Sequence, residues 1–511
     1  MRNEQAPLLN REWLKAANEE TTALLPERVL QIGEGNFMRG FVDWMLYRMN
    51  RSGCFQGRAV AIQPTPRGKV VPKLNRQDGL YTLVQRGMEN EKAAERVEVI
   101  DAISRGINPY THWEDALKTA ESPDIRFVFS NTTEAGMQWS EEPYDPRQAP
   151  LSFPGKLVAL LYHRYKHFQG AANAGWIILP CELIENNGTV LKQLCERAAA
   201  HWQLPASFVK WMNDSCVFCN TLVDRIVTGF PHGEEEAWEA RLGYRDELLT
   251  VCEPYHLFVI EGPEGLEQEL PFQQAGLRVH FDRIEQYREL KVKLLNAPHT
   301  LLASVGFLAG ADTVREAVED PQLRNYLLRA MHEEIKQALP AGIRERADAY
   351  IQDVLQRFCN PYLEHRLLDI SLNGLSKYVS RVLPSLHAYL QATGRLPDAL
   401  VIGLAALLAF YRVKRQDEEQ FWGIRKDGDE YPIRDRAEWV NSLAALWRRT
   451  EQGTSLSAIV GEFLGMSEIW GEDLNRIAGL SEAVSRHADA IVQHGVRLAL
   501  RYAGYFPEEG A

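Results

Sequence analysis

The 511-residue chain is poor in cysteine, and its seven cysteines are an odd number. A secreted disulfide framework is therefore not expected, and a chain this long buries a sufficient core without one. Positive charge is not in excess: 57 Lys and Arg stand against 69 Asp and Glu, a net charge of -12. That balance argues against a nucleic-acid-binding surface, yet leaves room for a local cationic pocket around a small anion. Long hydrophobic runs are missing as well. The longest, 399–411, lies between Asp398 and Arg412. It falls short of the ~18–20 residues that cross a bilayer and reads as a buried core helix. Residues 1–20 are polar and carry acids, without the apolar centre of a signal peptide. These absences point to a cytoplasmic chain with neither membrane nor nucleic acid as partner.

What is present changes character near residue 285. Before it, short runs rich in Val, Ile and Phe recur at 28–32, 59–62, 97–100, 126–130 and 176–180. Each is closed by Gly, Pro, Asn or Asp and reads as a buried strand. Amphipathic stretches such as 41–49 and 156–167 lie between them. Such alternation predicts an α/β domain, a mostly parallel, doubly wound sheet with helices on both faces. After residue 285 the strand signal nearly vanishes. Helical patterns cover 298–309, 314–318, 322–338, 343–358, 367–379, 396–411, 436–449 and 481–502, while 426–430 reads as a charged loop. The expected division is an α/β domain over 1–284 and an all-α domain over 285–511, with the functional site between them.

Two segments carry chemistry. Strand 28–32 runs into Gly33-Glu34-Gly35-Asn36-Phe37-Met38-Arg39-Gly40 and then a helix. Glycine permits a tight turn and close approach of backbone to a pyrophosphate, and a helix start offers free N–H groups. Met38 stands where the third glycine of the dinucleotide fingerprint belongs, so the turn alone also fits an ordinary strand–helix connection. Arg39 either adds charge for a phosphate or is a solvated helix residue. No acid lies from Ala59 to Lys69, where an NAD site usually places one on the ribose. Gln63 and Thr65 can take that place, or Arg67 and Lys69 can receive a 2′-phosphate. Asn131, Thr132, Thr133 and Glu134 follow a buried strand, at the sheet edge where ligands collect.

The second segment is Lys291-Val292-Lys293-Leu294-Leu295-Asn296-Ala297-Pro298-His299. On a regular helix Asn296 lies about 140° and His299 about 80° from Lys291, one broad face. Lysine can serve as general acid or base in alcohol oxidation. An amide and an imidazole can hold the reacting oxygen. Pro298 does not fit a helix interior, and a new helix beginning there is the cheaper arrangement. On spacing alone, the plainer reading is a charged helix followed by a capped one. Elsewhere, Cys216 and Cys219 read as buried thiols with no redox role, and His332-Glu333-Glu334 as a solvated helix face.

Taken together, these segments resemble the polyol-specific long-chain dehydrogenases, the mannitol dehydrogenase family. The resemblance runs from about Arg28 to the C-terminal helices. It is carried by QIGEGNFMRGFVDW (31–44), QDGLYT (77–82), RFVFSNTTEAG (126–136), GWIILPCELIENNG (175–188), TLVDRIVTG (221–229), KVKLLNAPHT (291–300) and NPYLEHRLLDISLNGLSKY (360–378). It implies a Rossmann-like N-terminal domain and a mainly helical C-terminal domain that closes over the nicotinamide. It further implies a metal-independent oxidoreductase with NAD as cofactor and NADP not excluded. Lys291 becomes the general acid/base, with Asn296 and His299 on the substrate oxygen. Gly33, Gly35, Asn36, Phe37 and Arg39 fall in the cofactor turn. Asp224 matches an acid near the active centre, and Lys377 a lysine on the substrate side. Where mannitol-type members carry Cys-Asp-Asn, this chain has Cys181-Glu182-Leu183, and a substrate arginine of those members is replaced by Asp369. Both departures argue against mannitol or fructuronate as substrate and for another sugar-acid branch of the family. Lys377, Arg381 and Arg366 are the expected holders of the substrate carboxylate.

Overall fold

The computed structural model describes residues 6–17, 24–89, 92–417 and 420–506. The described residues up to Tyr287 cluster into one compact unit. Those from Arg288 onward form a second, which also takes the segment near Gly87.

The first unit is built on six parallel strands: β1 (Glu27–Ile32), β2 (Arg58–Ile62), β3 (Ile103–Ile107), β4 (Phe127–Ser130), β5 (Ile177–Pro180) and β6 (Val217–Phe218). Their order across the sheet is β3-β2-β1-β4-β5-β6, the two-halved arrangement of an open doubly wound sheet. Both faces are covered. Val29, Ala59, Ala61, Phe127 and Phe129 join one core with Met38, Phe41 and Met45. Leu30, Ile32, Val60, Ile62 and Val128 join the other with Leu157, Leu161 and Trp211. That double burial is why β1, β4 and β5 are near-continuous apolar runs rather than alternating ones.

One expected strand lies elsewhere. Residues 97–100 belong to Lys92–Ile100, the edge of a separate four-stranded sheet. Most of its residues are half-exposed or exposed, and only Val97 and Val99 pack on small apolar clusters beside the sheet. The third strand of the main sheet is Ile103–Ile107 instead.

The second unit packs around the helix Asp398–Phe410, buried on nearly every side as its apolar run requires. Ala297–Leu308 and Leu480–His494 lie against it. The all-α expectation needs correction here. Arg415–Asp417, Gln420–Ile424 and Glu430–Ile433 form a three-stranded antiparallel sheet. Only the turn at 426–429 of the expected charged loop remains between strands. Three expected helices are interrupted. Residues 367–379 split into Leu367–Ile370 and Gly374–Arg381 around Asn373, whose φ is 55°. The run 481–502 breaks at Gly495. The run 322–338 passes through a π-turn at Ala330–Ile335. Within that turn Glu334 is buried rather than solvated. Its carboxylate accepts the amides of Ala399 and Leu400 and so caps the central helix. Among the described residues, no helix is long and apolar enough to cross a membrane.

Candidate active site

In the first unit the carboxyl ends of three strands are laced together. The Gly33 amide donates to the Ile62 carbonyl at 3.0 Å, and the Asn131 amide to the Ile32 carbonyl at 3.1 Å. Gly33 has φ +121°, and a Cβ there would sit 2.7 Å from the Asn131 carbonyl oxygen. Conformation and crowding both require glycine. Gly35 is the opposite case: its backbone is ordinary, and a Cβ would meet nothing within 4 Å. The space above it is open. Gly35 also starts the helix Asn36–Met38 with no side chain capping it, which leaves N–H groups for an anion. A pyrophosphate fits both features. Asn36 is exposed beside Gly35, and Phe37 is half-exposed and stacked on Phe41.

Arg39 faces inward. Its guanidinium is buried and donates to the Glu34 carbonyl, Asn36 Oδ1 and Thr250 Oγ1. It braces the turn from behind and neither reaches solvent nor offers an idle nitrogen to a phosphate. The helix continues as a π-turn, Arg39–Asp43. Two of its carbonyls take side-chain donors: Arg39 from the Tyr81 hydroxyl and Gly40 from Arg225, each at 2.7 Å. Tyr81 and Arg225 come from two of the motifs that carry the family resemblance. Their work here is to hold the helix behind the turn.

Beneath the turn, Gln31 donates to the Gly33 carbonyl at 2.8 Å and to Asp43 Oδ2 at 3.4 Å. Asp43 Oδ1 and Gln31 Oε1 are buried without partners. Burial pushes the Asp43 carboxyl up to about 7. The unfolded chain loses this proton near pH 4, so the contribution to stability is full below that pH. It declines as pH rises toward 7, where the folded carboxyl ionises. Asp43→Asn keeps the donor permanently and should remove that decline. Its stability, followed as melting temperature, should exceed that of wild type increasingly from pH 4 to 7 and then level off, a total gap on the order of 4 kcal/mol for a shift of about three units. Parallel melting profiles for the two proteins would place the proton elsewhere.

Gln63, at the end of β2, is fully buried. Its amide donates to the Thr65 carbonyl while Oε1 stays unpartnered. The loop after β4 is held by Glu182, which the sequence reading noted only as a departure. Glu182 accepts the Ser130 hydroxyl at 3.0 Å and the Thr132 amide at 2.9 Å. Burial raises its pKa against the pull of these donors. Asn131 donates to the Cys181 carbonyl at 2.8 Å. Thr133 has φ 73° and, like Glu134, is exposed. Leu183 is exposed beside Glu182. Asp224 is buried at the end of the strand Asn220–Asp224, opposite Leu257. Cys216 and Cys219 are free buried thiols, raised by burial to about 11 and about 12.

In the second unit, Lys291 ends the helix Ile284–Lys291, and Val292–Asn296 is a π-turn closed by the Ala297 amide on the Val292 carbonyl. A π-turn absorbs one residue. Relative to a regular helix, Asn296 and His299 then sit as if four and seven residues after Lys291, about 40° and 20° away. The broad face expected from the sequence becomes a narrow one. Pro298 opens the next helix, Ala297–Leu308, where its missing N–H costs little.

The ring of His299 lies 4.4 Å from that of Phe358 and 4.7 Å from that of His365. Its Nε2 is sealed from solvent without a partner. Burial first, then the nearby His365, Arg357, Arg381 and Lys377, hold its pKa well below the usual range. His299 is therefore neutral, with an idle nitrogen aimed at no protein atom. Thr300 donates to the Asn296 carbonyl at 2.9 Å, and Arg381 reaches Thr300 Oγ1 at 3.5 Å. Lys377 donates to the Ile370 carbonyl at 2.8 Å. Arg366, expected beside these cations, is exposed and paired with Glu364. Sequence reasoning missed His365 and Arg357, although His365 lies inside a motif quoted above. Among the described residues, no group of three or more His, Cys, Asp and Glu is placed to hold a metal ion.

A parallel sheet in this order, left through a glycine turn with open space above it, defines the dinucleotide-binding class of Rossmann-type proteins. Two family models match the chain: the mannitol dehydrogenase Rossmann domain over residues 27–274 and the mannitol dehydrogenase C-terminal domain over 283–492. The chain belongs to the mannitol dehydrogenase family and is an oxidoreductase. It is 47% identical to an altronate oxidoreductase of Halalkalibacterium halodurans over 477 residues, 93% of either chain. An altronate oxidoreductase of an Enterobacter species is 42% identical over 94% of this chain and 97% of its own. A substrate-free D-sorbitol dehydrogenase structure shares the fold, with TM-score 0.77 and 22% identity over 96% of this chain and all of that one. So does a Pseudomonas fluorescens mannitol 2-dehydrogenase structure, a ternary complex with NAD and D-mannitol. Its TM-score is 0.64, with 24% identity over 98% of this chain and all of the other.

Proposed function

We propose that this protein interconverts D-tagaturonate and D-altronate with NAD(H), in the cytoplasmic breakdown of hexuronates. The observation that carries the reading is the 42–47% identity to altronate oxidoreductases across both family domains. The residues fit the chemistry. Gly35 and the uncapped helix start would hold the pyrophosphate, and Gln63 and the Glu182-braced loop would line the rest of the cofactor. The bound dinucleotide supplies hydride exchange at its nicotinamide.

The chain supplies the proton and the charge control. As the ketone gains hydride, its oxygen becomes an alkoxide. Lys291 delivers the proton that makes it the alcohol and takes it back in the reverse direction. Asn296 and neutral His299 would hydrogen-bond the same oxygen, His299 once the packing over its unpartnered Nε2 gives way to substrate. The lysine, as proton donor and positive charge beside the oxygen, takes the role that a metal ion has in other alcohol dehydrogenases.

The test is NADH oxidation, followed by absorbance, with D-tagaturonate beside D-fructuronate and fructose, then with NADPH. The expected result is kcat/KM highest for tagaturonate with NADH, unchanged after dialysis against chelator. Preferred turnover of fructose would overturn the substrate assignment while leaving the lysine chemistry in place.

A further inference from the structure

The second unit gathers more positive charge around His299 than a neutral sugar needs. Lys377 and Arg381 lie one turn apart on the helix Gly374–Arg381, and like charges at that spacing repel. Both are partly buried, and burial lowers the pKa of each. Neither forms an ion pair with a carboxylate among the described residues. Lys377 donates to a backbone carbonyl, and Arg381 touches only the Thr300 hydroxyl, at 3.5 Å. Arg357 and His365 add to the cluster, and both act electrostatically on His299. The nearby acids are engaged elsewhere. Asp435 takes the Tyr411 hydroxyl and the Leu375 amide, and Asp369 pairs with Arg434. Lys377 and Arg381, partly buried and neither in an ion pair among the described residues, suit a carboxylate that arrives with a ligand.

We propose that Arg381 binds the carboxylate of the substrate and so selects an acidic ketose over a neutral one. The planar guanidinium is suited to a carboxylate in a way the Lys377 ammonium, already held by the Ile370 carbonyl, is not. Arg381 also connects through Thr300 to the Asn296 backbone, so a seated carboxylate is registered against the residues at the reacting oxygen. The assignment rests on the reading that the chain reduces a keto sugar acid.

The experiment compares wild type, Arg381→Met and Arg381→Lys with D-tagaturonate, D-fructuronate and fructose. D-galactonate, which carries the carboxylate but no ketone, serves as inhibitor of whichever ketose is turned over. In Arg381→Met the kcat/KM ratio of acid over neutral ketose should fall about a hundredfold, through KM. Inhibition by galactonate should vanish, and Arg381→Lys should recover part of both. Circular dichroism and NADH affinity like those of wild type certify the fold. Equal losses on acid and neutral ketoses, or unaltered galactonate inhibition, would overturn the assignment. A wild type that prefers fructuronate sinks the tagaturonate reading alone, and Arg381 is then judged on fructuronate. A wild type indifferent to every acid sinks both.

Discussion

Replacement of Lys291 by alanine should lower kcat by about 10²–10⁴, the range a positioned acid/base contributes, with NADH affinity and melting temperature close to wild type. Lys291 sits at the end of its helix, immediately before the π-turn, and is half-exposed rather than a core residue. Removing it leaves Leu290, Leu294 and Leu295 in their packing. The loss should fall on proton transfer. Single-turnover kinetics with a solvent isotope comparison would show it, and partial rescue by added small amines would confirm that an ammonium is missing. A variant with unchanged kcat would remove Lys291 from the mechanism.

The second large effect separates two neighbouring glycines. Gly35→Val should abolish measurable NADH binding while the protein melts normally, because the new side chain enters open space that the pyrophosphate needs. Gly33→Ala should do the reverse in kind. Its Cβ would press on the Asn131 carbonyl in a backbone conformation that L residues avoid, so stability falls by on the order of 1–3 kcal/mol. Titrating NADH by fluorescence and melting both variants reads the two effects separately. Normal binding by Gly35→Val would move the cofactor away from this turn.

The main sheet was legible wherever a strand is covered on both faces. Strands 28–32, 126–130 and 176–180 are near-continuous apolar runs for that reason. Ile103–Ile107 escaped notice because it is the edge strand, and Ser104 and Arg105 face its less covered side. The small sheet from Arg415 to Ile433 escaped for a similar reason, since its first strand is polar throughout. The candidate catalytic residues were readable as a pattern, but their geometry was not: no helical wheel shows that Val292–Asn296 widens. Arg39 reads as an amphipathic helix residue, and nothing local reveals that Thr250, 211 positions later, claims its guanidinium. Glu334 carries the same lesson. Glu333 before it is solvated, while its own carboxylate serves a helix that begins 64 residues on.

The widened turn between Lys291 and Asn296 has a counterpart in crystals, where an extra half-plane of atoms makes a dislocation. Such defects glide unless something pins them, and an extra residue in a helix can likewise pass from turn to turn by exchanging one hydrogen bond at a time. Pro298 has no amide hydrogen to exchange, and so it blocks that passage on the C-terminal side. An imino acid that looked like a flaw in the helix thus fixes the phase between the lysine and its two partners.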